Sequence, residues 1–223
     1  MNELTLIIPA KNEVESLPIV LDELKKYNYK INIVLHNTDL DTIQAIIEYD
    51  VNIIYQENLG YGDALINGIK QCKTKYFCIF NADGSFNPSE INQMFKTLQS
   101  KKLDFIFASR YGANSGSDDD TVLTLVGNYI FTYIGKIFFK LNITDILYTF
   151  VIGKTEQAKK LNLYQKDFSF CVELPIKAKK MKMQLGNINS YERKRIGGKK
   201  KVNAFKDGFL ILKHMIRLFF MKL

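Results

Sequence analysis

The chain has 223 residues, enough for one large α/β domain or two small ones, and 47% of them are hydrophobic, which excludes global disorder. Its cysteines, Cys72, Cys78 and Cys171, are odd in number and widely spaced; they show no metal-ligand pattern and read as reduced, buried thiols of a cytosolic protein. The net charge of +8 is concentrated at one end: residues 193–223 hold ten Lys or Arg against one acid, Asp207, so the remainder is about −1.

The first ten residues form a strand-like run with an acid at Glu3, unlike the basic leader of a signal peptide. Leu4 to Ile8 is a short apolar strand that stops at Pro9. Asn12 or Ser16 is positioned to cap the next helix, which sets Leu17, Val20, Leu21 and Leu24 on one face. Ile31 to Leu35 is a second strand. Thr42 to Glu48 is a short helix with Ile43, Ile46 and Ile47 inward, and Val51 to Tyr55 is a third strand. Gly60-Tyr61-Gly62 opens a helix to about Lys70. Lys75 to Phe80 is the fourth strand, Pro88 starts another helix at its first turn, and Asp104 to Ala108 is the fifth strand. Strands alternating with helices argue for a doubly wound, mostly parallel sheet covered on both faces.

Residues 112–120 (Gly-Ala-Asn-Ser-Gly-Ser-Asp-Asp-Asp) read as a flexible loop before a more helical second half. Thr121 to Leu141 carries two charges, Lys136 and Lys140, and a wide apolar stripe. It suits a helix lying in a membrane interface, a buried core helix or a spanning helix. Phe168 to Lys180 is a further helix, with Glu173 as an exposed acid. In the basic tail, Phe205, Phe209, Leu210, Leu212, Met215, Ile216, Phe219 and Phe220 interleave with the cations. That pattern reads as a basic amphipathic helix on a membrane surface; without a recognition motif, nucleic acid is not expected.

Asn81-Ala82-Asp83-Gly84 closes the apolar run from Tyr76 to Phe80. A carboxylate at the carboxyl end of a buried strand is where open α/β sheets place ligand chemistry. Asp83, with Asn81 as a second oxygen ligand, suits Mg2+ or Mn2+ held against a diphosphate; the alternative is a plain strand-to-helix turn.

These residues fall into a pattern. Leu6-Ile7-Ile8-Pro9-Ala10-Lys11-Asn12-Glu13, Asn58-Leu59-Gly60-Tyr61-Gly62-Asp63, Asn81-Ala82-Asp83, Ala108-Ser109-Arg110 and the closing Arg195 to Lys201 with Lys206-Asp207-Gly208-Phe209 occur in register. Together they resemble family-2 glycosyltransferases of GT-A fold, in the polyprenol-phosphate sugar transferase branch that includes dolichyl-phosphate mannose and glucose synthases. The resemblance covers roughly residues 4 to 218. It implies one domain, with residues 1–110 as the nucleotide-sugar-binding half and 121–223 as the acceptor- and membrane-facing half.

It further implies transfer of a hexose from a UDP- or GDP-sugar to a polyprenyl phosphate on the cytoplasmic membrane face, with inversion. Pro9, Lys11, Glu13, His36, Gly60, Gly62, Asn81, Ala82 and Asp83 would then hold the donor, and Asn81 and Asp83 the metal. Arg110, Asp145, Arg195 and Lys201 would face the acceptor, with Asp83, Arg110 and Arg195 closest to the chemistry. A polyprenyl phosphate is already an anion and attacks without a strong general base, and no obvious base is present. A membrane-anchoring protein partner is left open.

Three departures mark this chain. Where the family has adjacent aspartates after the second strand, it has Leu35-His36-Asn37-Thr38-Asp39, so His36, Asn37 or Asp39 must meet the donor base. The first acid of the Asp-x-Asp pair is Asn81, which lowers the charge on a metal. The family's Asp-x-x-Ser/Thr-Gly reads Asp145-Ile146-Leu147-Tyr148-Thr149, without the glycine. Two rivals follow. One is a transferase acting on a glycan acceptor in surface polysaccharide synthesis, with Asp118 to Asp120 or Glu173 recruited as base. The other is a non-catalytic nucleotide-sugar-binding domain.

Overall fold

A computed structural model describes residues 3–197 and 203–222. Strands β1 (Leu4–Pro9), β2 (Lys30–Leu35), β3 (Asn52–Tyr55), β4 (Tyr76–Ile79) and β5 (Phe105–Ser109) alternate with helices α1 (Ser16–Lys25), α2 (Leu40–Ala45), α3 (Tyr61–Gln71) and α4 (Ser89–Ser100). After β5 come β6 (Gly116–Ser117), α5 (Val122–Phe139), β7 (Val151–Lys154), α6 (Thr155–Lys160), α7 (Phe170–Lys180), β8 (Leu185–Asn189), β9 (Tyr191–Glu192) and α8 (Ala204–Phe220). The main sheet has the order β3-β2-β1-β4-β7-β5-β8, and β6 pairs with β9 in a small second sheet. The fold class is the one the alternation implies: β7 alone runs antiparallel, against both β4 and β5.

The central strands β1, β4, β5 and β7 are buried on both faces, so their apolar residues divide by alternation. Leu6 and Ile8 of β1, with Tyr76 and Cys78 of β4, pack toward α1 and α4, while Ile7, Phe77 and Ile79 pack toward α3 and α7. All three cysteines are free and buried.

The structure corrects several local expectations. α1 begins at Ser16 with Glu15 at its N-cap position and no side-chain cap. Asn12 instead sits at φ 51, a left-handed conformation that Asn tolerates, and its N–H donates to Asp39 Oδ2 at 2.7 Å. α2 ends at Ala45, and Ile47 is exposed rather than inward. The second half is the more helical one, as expected, and it also supplies β7 and β8, which complete the sheet begun by the first half. Both are short, and Gly153 and Gly186 interrupt their apolar pattern.

α5 starts with a capping box between Thr121 and Thr124 and ends at Lys140 in a left-handed conformation. It is long and apolar enough to cross a membrane by length and composition. Only Asn128, Gly135 and Phe139 are buried within it, so it is not a core helix. α8 is capped by the Asn203 side chain and docks through Ile211, His214, Met215 and Leu218. Each such apolar side chain contributes about 1.5–3 kcal/mol when fully buried.

His214 gives this docking a pH dependence. Its Nδ1 accepts from Gln165 Nε2 at 2.9 Å, and its Nε2 is buried without a hydrogen-bond partner. Burial, reinforced by the charges of Lys177 and Arg217 against that of Asp167, lowers its pKa from 6.5 to about 4. The folded chain therefore refuses a proton that the unfolded chain accepts. This share of stability is complete above pH 6.5 and is lost as pH falls from there to about 4. His214→Gln is expected to flatten the decline of the urea midpoint across that window; an unchanged slope would show that His214 does not titrate the fold.

Candidate active site

The strand order reverses between β1 and β4, and the carboxyl ends of β1, β2, β3, β4 and β5 open on one cavity of about 700 Å³. Pro9 ends β1 and Ala10 and Lys11 follow it, His36 follows β2, Gln56 follows β3, Asn81 to Asp83 follow β4 and Arg110 follows β5. Glu13, Gly60 and Arg195 join them. The structure thus brings ten of the thirteen residues assigned to donor, metal or acceptor to this one cavity. Gly62 and Asp145 do not line it, and Lys201 lies outside the described residues.

Gly60 and Gly62 are needed for a close approach of backbone. A Cβ on Gly62 would stand 2.1 Å from Gln165 O, and one on Gly60, at φ +142, 2.1 Å from Lys166 O. The start of α3 is therefore roofed by residues 165–167, and Asp63 N–H donates to Lys166 O at 3.1 Å. Gly62 serves this packing rather than touching the cavity. Where the motif's glycine is missing, Thr149 Oγ1 meets the Tyr61 hydroxyl at 2.6 Å, and Tyr61 stacks on Phe168 to form an aromatic wall. Beyond β2, the imidazole Nδ1 of His36 pairs with Thr38 Oγ1 at 2.8 Å, and Asp39 also faces the cavity.

Asp83 sits on the cavity floor. Its Oδ1 accepts the Ser85 N–H at 3.0 Å, and Oδ2 lies 3.6 Å from Arg195 Nη1. The Asn81 amide nitrogen donates to Ser85 Oγ at 3.1 Å, which leaves the amide oxygen as its ligating atom. Among the described residues no cluster of three or more His, Cys, Asp or Glu could hold a metal. One carboxylate and one amide oxygen fit a hard cation that takes its remaining ligands from substrate phosphates and water.

Arg110 lines the cavity and is held among carboxylates. Its Nε and Nη2 donate to both oxygens of Asp145 at 2.8 and 3.1 Å, and Nη1 donates to Glu192 Oε2 at 3.0 Å. Asp120 stands 3.5 Å away, and the Tyr148 ring centroid lies 4.6 Å from the guanidinium carbon. Asp145 is buried and also accepts the Arg110 N–H at 3.1 Å and the Asn128 amide at 2.5 Å. It anchors Arg110 from behind the cavity wall rather than lining the cavity itself, and Arg110 organises that wall.

Glu173 is likewise not an exposed acid. It is fully buried, paired with Lys177 at 2.7 Å, and accepts the N–H groups of Tyr164 and Gln165. It is therefore no base for a substrate.

Sequence reading missed Glu192, which lines the cavity from β9, and Thr124 and Asn128, which line it from α5. Burial raises the Glu192 carboxyl above its usual range, against the opposing pull of Arg110. Asp119 and Asp120, part of the expected loop, close over the same space. Cys171 reaches the wall too, but burial pushes its thiol up to about 12, so it is no nucleophile at neutral pH.

The chain belongs to glycosyl transferase family 2, whose model matches residues 5–161. It is 24% identical to an uncharacterised glycosyltransferase of Mycobacterium tuberculosis, over 93% of both chains. It is 23% identical to the UDP-N-acetylglucosamine–dolichyl-phosphate N-acetylglucosaminyltransferase of Methanococcus voltae, over 82% of each. In fold it is similar to glucosyl-3-phosphoglycerate synthase from Mycobacterium tuberculosis, solved with Mn2+, UDP and phosphoglyceric acid. That likeness has a TM-score of 0.77 at 12% identity, covering 99% of this chain and 80% of the other. The protein is a family-2 glycosyltransferase.

Proposed function

We propose that the chain transfers a hexose from a nucleotide-sugar to a polyprenyl phosphate at an anionic membrane surface, with a divalent cation at Asp83. The observation that carries the lipid acceptor is the two-sidedness of α5. Thr124 and Asn128 on one side line the cavity, while Val122, Val126, Tyr129, Ile130, Tyr133 and Ile137 on the other are exposed. At ~100° per residue those six fall in one stripe about 100° wide. α8 carries a second exposed stripe, Phe205, Phe209, Leu212, Ile216, Phe219 and Phe220, edged by Lys206, Lys213 and Arg217. Phe138 and Phe219 join the two, ring centroids 5.9 Å apart. An apolar face of this extent with a cationic rim suits a bilayer. On this reading the lipid phase would lie about one helix thickness from the cavity.

The donor side of the reading is supported by the carboxyl-end cavity, the oxygen pair at Asn81 and Asp83, and the UDP and Mn2+ of the fold neighbour. A cation there would offset the charge of the departing nucleoside diphosphate. His36, Thr38 and Asp39, which line the cavity beyond β2, would meet the base. The acceptor is supported by the dolichyl phosphate named for the Methanococcus voltae relative.

A second reading, a hydroxyl acceptor on a glycan, is favoured by one observation: Glu192, raised in pKa by burial, is a carboxyl lining the same cavity.

The test measures nucleoside diphosphate release from UDP- and GDP-sugars with Mn2+ or Mg2+. The acceptors are a water-soluble short-chain polyprenyl phosphate, the same lipid class in phosphatidylglycerol vesicles, and sugar alcohols. Release that needs both metal and lipid phosphate is expected. Phe209→Asp with Ile216→Asp is expected to abolish turnover on vesicles while sparing the soluble acceptor. Turnover on sugar alcohols alone would replace the lipid reading with the glycan one. No turnover with any acceptor would leave a binding domain.

A further inference from the structure

We propose that Arg195 is an exchangeable counter-ion of the donor site, a built-in cation that neutralises Asp83 until a divalent metal replaces it. The inference rests on the reading of Asp83 as a metal ligand and adds what governs access to it.

The segment carrying Arg195 is laid along the Asp83 turn. Arg193 N–H donates to Ser85 O and Ile196 N–H to Asp83 O, each at 2.8 Å. Gly84, at φ +79, leaves room for Ile196, whose Cδ1 would stand 2.4 Å from a Cβ there. The Arg193 guanidinium grips Glu23 through two bonds of 2.9 Å and Phe86 O at 2.7 Å. Arg195 is thereby delivered over the floor of the cavity.

Asp119 and Asp83 hold it unequally, and Glu13 adds a further negative charge nearby. Asp119 takes the Nε and Nη2 fork at 3.0 and 2.8 Å, a bidentate grip. Asp83 Oδ2 faces Nη1 at 3.6 Å, an electrostatic contact longer than a hydrogen bond. The other Asp83 oxygen is engaged by Ser85 N–H, so the oxygen facing Arg195 is the one a metal would take. Two cations cannot share it without repulsion. The firm grip of Asp119 lets the guanidinium leave Asp83 without leaving the site. Once a diphosphate has entered, its oxygens supply new anionic partners for the released guanidinium.

The test is a Mn2+ titration followed by the EPR signal of the free ion, with wild type, Arg195→Gln and Arg195→Lys, each with and without UDP. Arg193 and the backbone bonds hold the segment in all three. Without nucleotide, Arg195→Gln is expected to tighten Mn2+ binding about threefold to tenfold, the size of one removed neighbouring charge. Arg195→Lys is expected to stay within about twofold of wild type. With UDP the order reverses, and Arg195→Gln binds the metal more weakly than wild type. A merely structural arginine would shift both variants alike in both conditions, and that result overturns the exchange. Equal affinity of wild type and Arg195→Gln overturns it too and leaves Asp83 as a metal ligand. No Mn2+ binding by any chain, with or without UDP, overturns both.

Discussion

Asp83→Asn is expected to lower turnover by about 10²–10³-fold, the scale of removing one preorganised charge from a transition state. The amide has the same shape, and its oxygen can still accept the Ser85 N–H that Asp83 Oδ1 accepts now. Melting temperature should therefore shift by no more than a few degrees. Asp83→Ala removes that bond as well, at a further cost of about 1 kcal/mol. The pair separates charge from scaffolding: both variants lose turnover, and Asp83→Ala alone loses measurable stability. Near-normal turnover in Asp83→Asn would dismiss Asp83 as the residue that offsets the diphosphate.

Arg110→Ala carries the largest expected effect on the fold. The guanidinium is nearly enclosed and joins Asp145, which is buried, to Glu192, which is nearly so. Removing it strands two carboxylates in a poorly solvated wall. Breaking a buried pair from one side costs about 3–5 kcal/mol. For a chain of this size that lowers the melting temperature by on the order of 10 °C. Arg110→Lys is expected to recover little, because one ammonium cannot reproduce the fork on Asp145 and reach Glu192 as well. Differential scanning calorimetry decides the matter. If Arg110 were a free phosphate ligand, both variants would melt with wild type and only the acceptor KM would rise.

The parts of the fold legible in the sequence are those whose neighbours do not alter their pattern. β1, β2, β4 and β5 are apolar runs buried on both faces, and any partner on either side leaves the run apolar. Pro9, His36, Asp83 and Arg110 were within reach because each follows such a run. Asp145 and Arg110 could be named but not assigned, since their pairing spans 35 residues and depends on how α5 and β5 meet. Glu192 gave no local sign at all: it is one charge in a two-residue strand whose partner, Ser117, lies 75 positions away. Glu173 was misplaced for a reason the sequence does contain. Lys177 stands four residues on, close enough on the helix to neutralise it and let both be buried.

The reversed strand has a consequence for the birth of the chain. β5 touches only β7 and β8 in the sheet, and both are made after it. A chain growing from its amino terminus can assemble β1 to β4 early, but Phe105-Ile106-Phe107-Ala108-Ser109 must wait for residues 151–154 before it finds a neighbour. Until then it is an apolar segment with unpaired amides, the kind of edge that recruits other chains. Truncations ending between Arg110 and Phe150 should therefore be recovered from inclusion bodies, and the waiting interval is when a nascent chain would most need a chaperone.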